Sequence, residues 1–153
     1  MASLSKMLAT RLFQIAAIVV PVTAEVVSAT FDPLYDDPSR SLNTVACWRK
    51  NIGFMPNLDW QVQQDAVGFI GLNSIDRINS GKCFTCWTLE YNDKTISLLA
   101  IDSAESGIVM SLNALQYLTD GRAHELGRVD VHAKEVDTSE CGLPANILHA
   151  YDF

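Results

Sequence analysis

Four cysteines limit the folds that are open to this chain: Cys47, Cys83, Cys86 and Cys141 are its whole complement of thiols. An even number of cysteines in an exported domain predicts a disulfide framework, whereas the same residues in the cytosol point to metal or redox chemistry. Four cysteines can pair in three ways, and their spacing alone does not choose among them. Their interpretation therefore depends on whether the protein leaves the cytosol.

Residues 1–24 have the pattern of a secretory signal peptide. Lys6 and Arg11 make the start of this stretch basic without any acidic residue, and an apolar run follows at 12–22. A small-x-small sequence then ends at Ala24, so we expect cleavage after that residue. A membrane anchor would need roughly 18 or more apolar residues, which is longer than this run. The sequence therefore predicts a secreted protein.

The composition is acidic, with 18 Asp and Glu against 11 Lys and Arg, which gives a formal net charge of −7. Nucleic acids and anionic membranes both bind basic surfaces, so this balance argues against either as a partner. An uncharged or cationic ligand fits the charge better. Hydrophobic residues make up 48% of the 153 residues, enough for the core of one domain.

Export favours disulfides over the other roles that four cysteines can have. A bridge between Cys83 and Cys86 would resemble a redox-active Cys-x-x-Cys pair, but that motif is expected at the start of a helix. Here Cys86 opens an alternating, strand-like run that ends at Tyr91. A zinc site would need further ligands, and the histidines lack the usual close spacing. Two long-range bridges are therefore the preferred interpretation.

The hydrophobic pattern predicts many short strands and few helices. Strands are expected at 26–31, 66–71, 86–91, 95–102 and 129–133, and residues 110–118 have helical spacing that Gly121 ends. The segment 41–47 fits either a short helical turn or a strand. Residues 48–59 contain Gly53 and Pro56 and are predicted to form an exposed loop. Many strands held by two bridges indicate a small closed barrel.

With these elements in place, the sequence resembles the cerato-platanin family of small secreted fungal proteins. The matching pieces occur in order along the chain: YDDPSRSL at 35–42, Cys47, CFTCW at 83–87, LAID at 99–102, NAL at 113–115, GRVDV at 127–131 and CGL at 141–143. The resemblance implies the pairs Cys47–Cys83 and Cys86–Cys141. It also implies a mainly β fold with short helices, a six-stranded double-psi β-barrel similar to the first domain of expansins.

The same resemblance divides the chain and suggests what it does. Residues 25–143 would be the barrel domain and 144–153 a C-terminal tail. The family implies a monomer, secreted to the medium or cell wall, that binds chitin-like N-acetylglucosamine oligomers and elicits plant defence through a plant cell-surface receptor. The alternatives are a surface-active, self-assembling cell-wall protein or an expansin-like protein that loosens cellulose. No cofactor or metal is implied.

A sugar site needs a shallow polar groove in which carboxylates and amides bind hydroxyl groups and an aromatic face packs on the ring. Five residues would supply such a groove if the fold brings them together: Asp102, Tyr35, Asn79, Ser80 and Gly81. Two roles stay open for Asp102, since a carboxylate at a strand end also binds backbone N–H groups. Trp87 fits core packing, whereas Trp48 and Trp60, in the predicted exposed loop, fit stacking or adsorption to an interface.

Catalysis has little support in the sequence. Glycosidases normally use two carboxylates that face the scissile bond, and Asp102 is the one acidic residue that we place in a groove. The His-Phe-Asp signature of expansins is absent, as are Gly-x-Ser-x-Gly, His-Glu-x-x-His and the P-loop. We therefore expect a binding protein and not an enzyme. One departure from the family is Phe84, where members usually have glycine.

Overall fold

The computed structural model describes residues 23–48, 58–76 and 80–143. Most of the predicted signal peptide, the site candidate Asn79 and the predicted tail 144–153 lie outside these ranges. In the described part of the chain, no helix reaches the length and apolar character that crossing a membrane requires. The strands are β1 Glu25–Phe31, β2 Phe69–Leu72, β3 Thr85–Tyr91, β4 Lys94–Ser103, β5 Ile108–Met110 and β6 Arg128–Val136; the helices are α1 Leu112–Leu118 and α2 Ala123–Leu126. Four 3₁₀ turns span Pro33–Asp36, Leu42–Thr44, Gln63–Asp65 and Thr138–Cys141.

The strands close into a barrel in the order β1-β5-β2-β4-β3-β6. Two neighbouring pairs are parallel, β1 with β5 and β2 with β4, and the remaining pairs are antiparallel. Closure protects the protein against aggregation, because a closed barrel leaves no unpaired strand edge. The six-stranded barrel confirms the mainly β prediction.

Strand alternation explains how the core is filled. Along β6 buried and exposed residues alternate, so that Val129, Val131 and Ala133 face the interior while Asp130 and His132 face solvent. β4 is buried from Leu98 to Asp102, which agrees with the prediction that 95–102 is a core strand. Asp102 is thus the last residue of the buried run, where the barrel interior meets the surface.

Two disulfides fix the barrel to the segments around it. Cys47 is bonded to Cys83, and Cys86 to Cys141. The first bridge holds the segment after the Leu42–Thr44 turn against the start of β3, and the second joins β3 to the last 3₁₀ turn. The pairing implied by the family resemblance is confirmed.

Phe84 has a backbone conformation that bulky residues rarely adopt. Its φ is +62°, in the left-handed region that favours glycine. The strain of such a residue costs about 1–3 kcal/mol and persists only when the surroundings fix the backbone. Here half-cystines Cys83 and Cys86 lie on either side, and the Phe84 N–H donates to the Ala100 carbonyl at 2.7 Å. Its ring is buried, with 1% of the residue exposed, which offsets part of the strain.

Two predictions about local structure are wrong. The helix predicted at 110–118 begins at Leu112, because Met110 pairs with Phe31 and Ile70 in β5. Ser111 caps the helix, and its hydroxyl accepts from the Ala114 N–H at 3.1 Å. Trp48 is only 1% exposed and belongs to the core, contrary to the exposed loop expected from 48 onward. The rest of that loop, residues 49–57, lies outside the described residues.

Candidate functional site

Asp102 and Tyr35 form a hydrogen-bonded pair at the end of β4. Asp102 Oδ2 accepts from the Tyr35 hydroxyl at 2.8 Å. Oδ1 accepts from the backbone N–H of Ala46 at 2.9 Å and of Ser103 at 2.8 Å. The carboxylate is buried, with 8% of the residue exposed. Of the two roles considered for Asp102, these contacts show the structural one, since the carboxylate ties three segments together at the end of the buried run of β4.

The backbone around the pair is shaped to let the tyrosine in. Tyr35 lies on the 3₁₀ turn Pro33–Asp36, which Asp32 caps by accepting from the Leu34 N–H at 2.9 Å. Gly71 on β2 leaves the necessary space, because a Cβ there would lie 2.9 Å from the Tyr35 hydroxyl and 2.7 Å from the Ser103 carbonyl oxygen. The sequence marked 66–71 as a glycine-bearing strand or a tight approach to one, which Gly71 confirms, but it did not link this glycine to Tyr35.

Arg40 and Gln63 extend the polar surface around Tyr35. The Arg40 guanidinium lies 5.4 Å from the centre of the Tyr35 ring, and its Nη1 donates to Gln63 Oε1 at 3.2 Å. Gln63 Nε2 in turn donates to the carbonyl oxygens of Leu34 and Asp37. Because the buried Gln63 amide binds both of these carbonyls, it fixes the loop that carries Tyr35. Arg40 is in the family motif, but its contact with Tyr35 was not foreseen.

The environment keeps the Tyr35 hydroxyl protonated. Burial raises the pKa of Tyr35 far above its ordinary value, and the negative charge of Asp102 and the hydrogen bond to it raise that pKa further. The nearby Arg40 lowers it, but by less. Tyr35 is therefore a fixed hydrogen-bond donor to Asp102 across the neutral and mildly alkaline range.

Because the pKa of folded Tyr35 is raised, we expect the wild type to lose stability at alkaline pH. The variant Tyr35→Phe should not show this loss. A tyrosine with a raised folded-state pKa contributes stability that is present below pH 10, its unfolded value, and is lost as the pH rises above it. Between pH 9 and pH 11 we expect wild type to lose about 1.4 kcal/mol more stability than Tyr35→Phe. Urea unfolding followed by circular dichroism at each pH measures the difference. Parallel pH profiles for the two proteins would contradict the assignment.

The other predicted site residues lie before β3. Ser80 Oγ donates to the Ser74 carbonyl at 3.2 Å and accepts from the Lys82 N–H at 3.3 Å, and Gly81 faces open space. Asn79 lies outside the described residues. The start of β3 is next to the end of β4, since Thr85 pairs with Ala100. The structure thus joins Asp102 to Tyr35 directly, while no hydrogen bond among the described residues links that pair to Ser80 or Gly81.

A second feature is a cleft beside the 3₁₀ turn Leu42–Thr44. Trp60 is half-buried and stacks on Trp48, with ring centroids 5.7 Å apart and an interplanar angle of 14°. The cleft has a volume of about 160 Å³ and is lined by Ser41, Asn43, Trp48, Trp60, Gln61 and Val62. Of the two tryptophans predicted to be exposed, only Trp60 therefore reaches the surface. Trp87 is buried, and its Nε1 donates to Thr85 Oγ1 at 2.8 Å.

The acidic residues nearest to Tyr35 in sequence have structural partners. Asp36 accepts from the N–H groups of Leu112 and Asn113 at 2.7 and 3.1 Å, so it caps α1 from a distant loop. Hydrogen bonds from the Ser39 hydroxyl and N–H lower the pKa of Asp37.

Within the described ranges, no group of three or more histidine, cysteine, aspartate or glutamate side chains is placed to hold a metal ion. The arrangement around Asp102 is suited to hydrogen bonding.

Comparisons with known proteins agree on one family. A family model described as Cerato-platanin matches residues 27–143. The heat-stable 19 kDa antigen of Coccidioides immitis is 37% identical over 137 residues, which cover 84% of this chain and 92% of the relative. The crystal structure of cerato-platanin 3 from M. perniciosa superposes with a TM-score of 0.71 at 32% identity, covering 78% of this chain and 100% of the other. The solution structure of the fungal elicitor cerato-platanin gives 0.63 at 28% identity, with 78% and 100% covered. The double-psi assignment of the barrel is confirmed by these neighbours.

Proposed function

Because the chain belongs to the cerato-platanin family, we propose that it is an exported protein that binds chitin-type N-acetylglucosamine oligomers without cutting them and that plants perceive as an elicitor. The observation that carries this proposal is the family match over residues 27–143, which takes in every strand of the barrel except the first two residues of β1. One structural relative is itself described as a fungal elicitor. A disulfide-linked, closed barrel is also the kind of domain that persists outside cells.

The Asp102–Tyr35 pair supports binding of a hydroxyl-rich ligand. Each carboxylate oxygen can accept about two hydrogen bonds, and Asp102 Oδ2 accepts one, from Tyr35. A sugar hydroxyl that reaches Asp102 at the end of β4 would use the second acceptor position of Oδ2. Arg40, half-buried above the Tyr35 ring, adds further N–H donors next to the pair. A charge-assisted hydrogen bond of this kind contributes more to binding than a neutral one.

The same geometry favours binding over hydrolysis. A glycosidase needs one carboxylic acid that can donate a proton and a second carboxylate about 5–10 Å away. Asp102 accepts from three donors and its neighbour in the pair is a tyrosine, while Asp36 is used to cap α1. These contacts support a role in which the carboxylate orients a ligand.

Calorimetric titration of the secreted protein with chitotetraose and chitohexaose tests the proposal. We expect saturable binding that Asp102→Asn weakens about tenfold, because one charge-assisted hydrogen bond contributes roughly 1.5 kcal/mol. Asp130→Asn is the matched control, since it makes the same charge change on an exposed residue of β6. The absence of binding by wild type, or release of reducing sugar from the oligomers, would overturn the proposal.

A leaf assay tests the elicitor role on the same samples. Infiltration of the native protein should produce an oxidative burst, whereas reduced and alkylated protein, which lacks the barrel's two bridges, should produce none. Equal responses to both samples would show that the folded surface is not what plants perceive.

The surface-active alternative has less support from the structure. It rests on the 48% hydrophobic composition and on two loop tryptophans predicted to be exposed, of which Trp48 is in the core. The large hydrophobic residues that are well exposed in the described part of the chain are Val26, Leu34 and Tyr117, which belong to three different elements. Scattered apolar residues of this kind are normal on soluble proteins.

A further inference from the structure

The cleft beside Trp60 lies on a rigid frame. Ser41 pairs with Val62 in an antiparallel bridge, and the Leu42 N–H donates to the Gln61 carbonyl at 3.0 Å. The Asp65 carboxylate accepts from the N–H groups of Gln61 and Val62 at 2.9 and 3.0 Å. The two walls of the cleft are therefore held together by backbone contacts before any ligand arrives. A preformed site loses less conformational entropy on binding than a flexible one.

An aromatic stack supports the apolar side of the cleft. The half-buried Trp60 stacks on the fully buried Trp48, and Trp48 also contacts the Phe84 ring, which is tilted by 52° with ring centroids 6.1 Å apart. The left-handed backbone of Phe84 thus holds a ring where glycine would place none. The Trp60 indole, which lines the cleft, is therefore supported from within the protein by a buried ring.

The polar side of the cleft carries uncommitted groups. Asn43 and Gln61 are exposed and line the cleft, and neither side-chain amide is hydrogen-bonded to a described residue. The Ser41 hydroxyl, which also lines it, accepts from the Asn43 N–H at 3.3 Å and keeps its own proton available. Primary amides and a hydroxyl beside an indole face are complementary to a pyranose ring, whose axial C–H groups are apolar and whose equatorial substituents donate and accept.

We propose that this cleft is a pyranose-binding subsite, in which one sugar ring of a bound oligomer stacks on Trp60 while its equatorial groups are bound by the side-chain amides of Asn43 and Gln61. This inference rests on the carbohydrate binding proposed above and assigns it a second contact point. Arg40 directly precedes Ser41 in the chain and contacts Tyr35, so one short segment contributes both to the subsite and to the surroundings of the Asp102–Tyr35 pair. A ligand that spans both features would need more than one sugar ring. Oligomers should therefore bind more tightly than the monosaccharide.

Titration of the full-length secreted protein with chitohexaose and with N-acetylglucosamine tests the subsite. We expect Trp60→Ala to weaken hexaose binding about tenfold and Asn43→Ala about threefold, since stacking and a neutral hydrogen bond contribute to that extent. Tyr117→Ala is the matched control, because it removes an exposed aromatic ring from α1. Circular dichroism and thermal unfolding verify that each variant is folded.

Tryptophan fluorescence gives a second measurement at the same site. The chain has three tryptophans, and two of them, Trp48 and Trp60, line the cleft. Hexaose should therefore shift the emission of wild type and of Trp87→Phe, and the shift should be much smaller in Trp60→Phe, which keeps only the buried Trp48 at the site. Hexaose binding that Trp60→Ala leaves unchanged, with the same shift in Trp60→Phe, would overturn the subsite while leaving the proposed function intact. No binding by wild type in either assay would overturn both.

Discussion

Removing the Cys86–Cys141 bridge with the double variant Cys86→Ala/Cys141→Ala will lower the free energy of unfolding by about 4 kcal/mol. The bridge closes a loop with a sequence separation of 55, and the chain-entropy model gives a loop of that length about 4 kcal/mol of stabilisation. This is a large share of the 5–15 kcal/mol that typically separates a folded domain from its unfolded state. Cys86 is fully buried, so the alanine also loses packing in the core.

Urea unfolding at neutral pH, followed by circular dichroism, measures this effect. The variant Cys47→Ala/Cys83→Ala is the comparison, because it opens a shorter loop, with a separation of 36, and the model gives it a slightly smaller loss. If either double variant loses less than about 1 kcal/mol, the bridges are not a principal source of stability in this barrel. Because an opened loop makes the unfolded chain less compact, we expect a steeper dependence on urea for each variant, and the free energies are compared after extrapolation to water.

The sequence predicted those parts of the fold that depend on local pattern. The alternation of Val129, Val131 and Ala133 with polar residues determines which face of β6 is buried, and the apolar run in β4 marks a strand buried on both sides. Both signals are contained within one segment. The disulfide pairing, in contrast, came from the family resemblance, because four cysteines alone leave three pairings open.

The predictions from sequence were wrong or incomplete where contacts with distant segments determine the local structure. Trp48 precedes basic and turn-forming residues, which is the local pattern of a loop, yet Cys47 is bonded to Cys83 and its N–H donates to the Ile101 carbonyl at 2.9 Å. These two contacts with remote segments bring Trp48 into the core. β5 was also missed, because a strand of three residues is too short to show a periodicity.

The arrangement of the candidate site also depends on contacts between distant segments. Asp102 and Tyr35 could each be named as a sugar-binding candidate, but they are 67 residues apart and nothing in the sequence predicts their hydrogen bond. The space that allows it comes from Gly71 on a third element. The roles of Arg40 and Gln63 likewise follow from contacts between loops, so only the three-dimensional arrangement reveals them.

Asp102→Ala should destabilise the protein by about 3 kcal/mol or more, whether or not a ligand binds there. The substitution leaves the N–H groups of Ala46 and Ser103 and the Tyr35 hydroxyl without their acceptor. Each buried donor that loses its partner costs about 1–3 kcal/mol, and water satisfies those nearest the surface. Asp102→Asn retains one carbonyl oxygen and the side-chain volume, so it should cost only about 1 kcal/mol, which also makes it the better variant for binding experiments.

A double-mutant cycle separates the Asp102–Tyr35 hydrogen bond from the rest of this loss. Tyr35→Phe alone should cost about 1 kcal/mol, because it removes one of the three donors and keeps the ring under Arg40. In the Asp102→Ala background the same change should cost almost nothing, which corresponds to a coupling energy of about 1 kcal/mol. Additive losses in urea unfolding would mean that the two groups do not interact. Asp130 is exposed on the outer face of β6, so the stability of Asp130→Ala should lie within about 0.5 kcal/mol of wild type. If Asp130→Ala loses as much stability as Asp102→Ala, the loss of a negative charge alone explains the result.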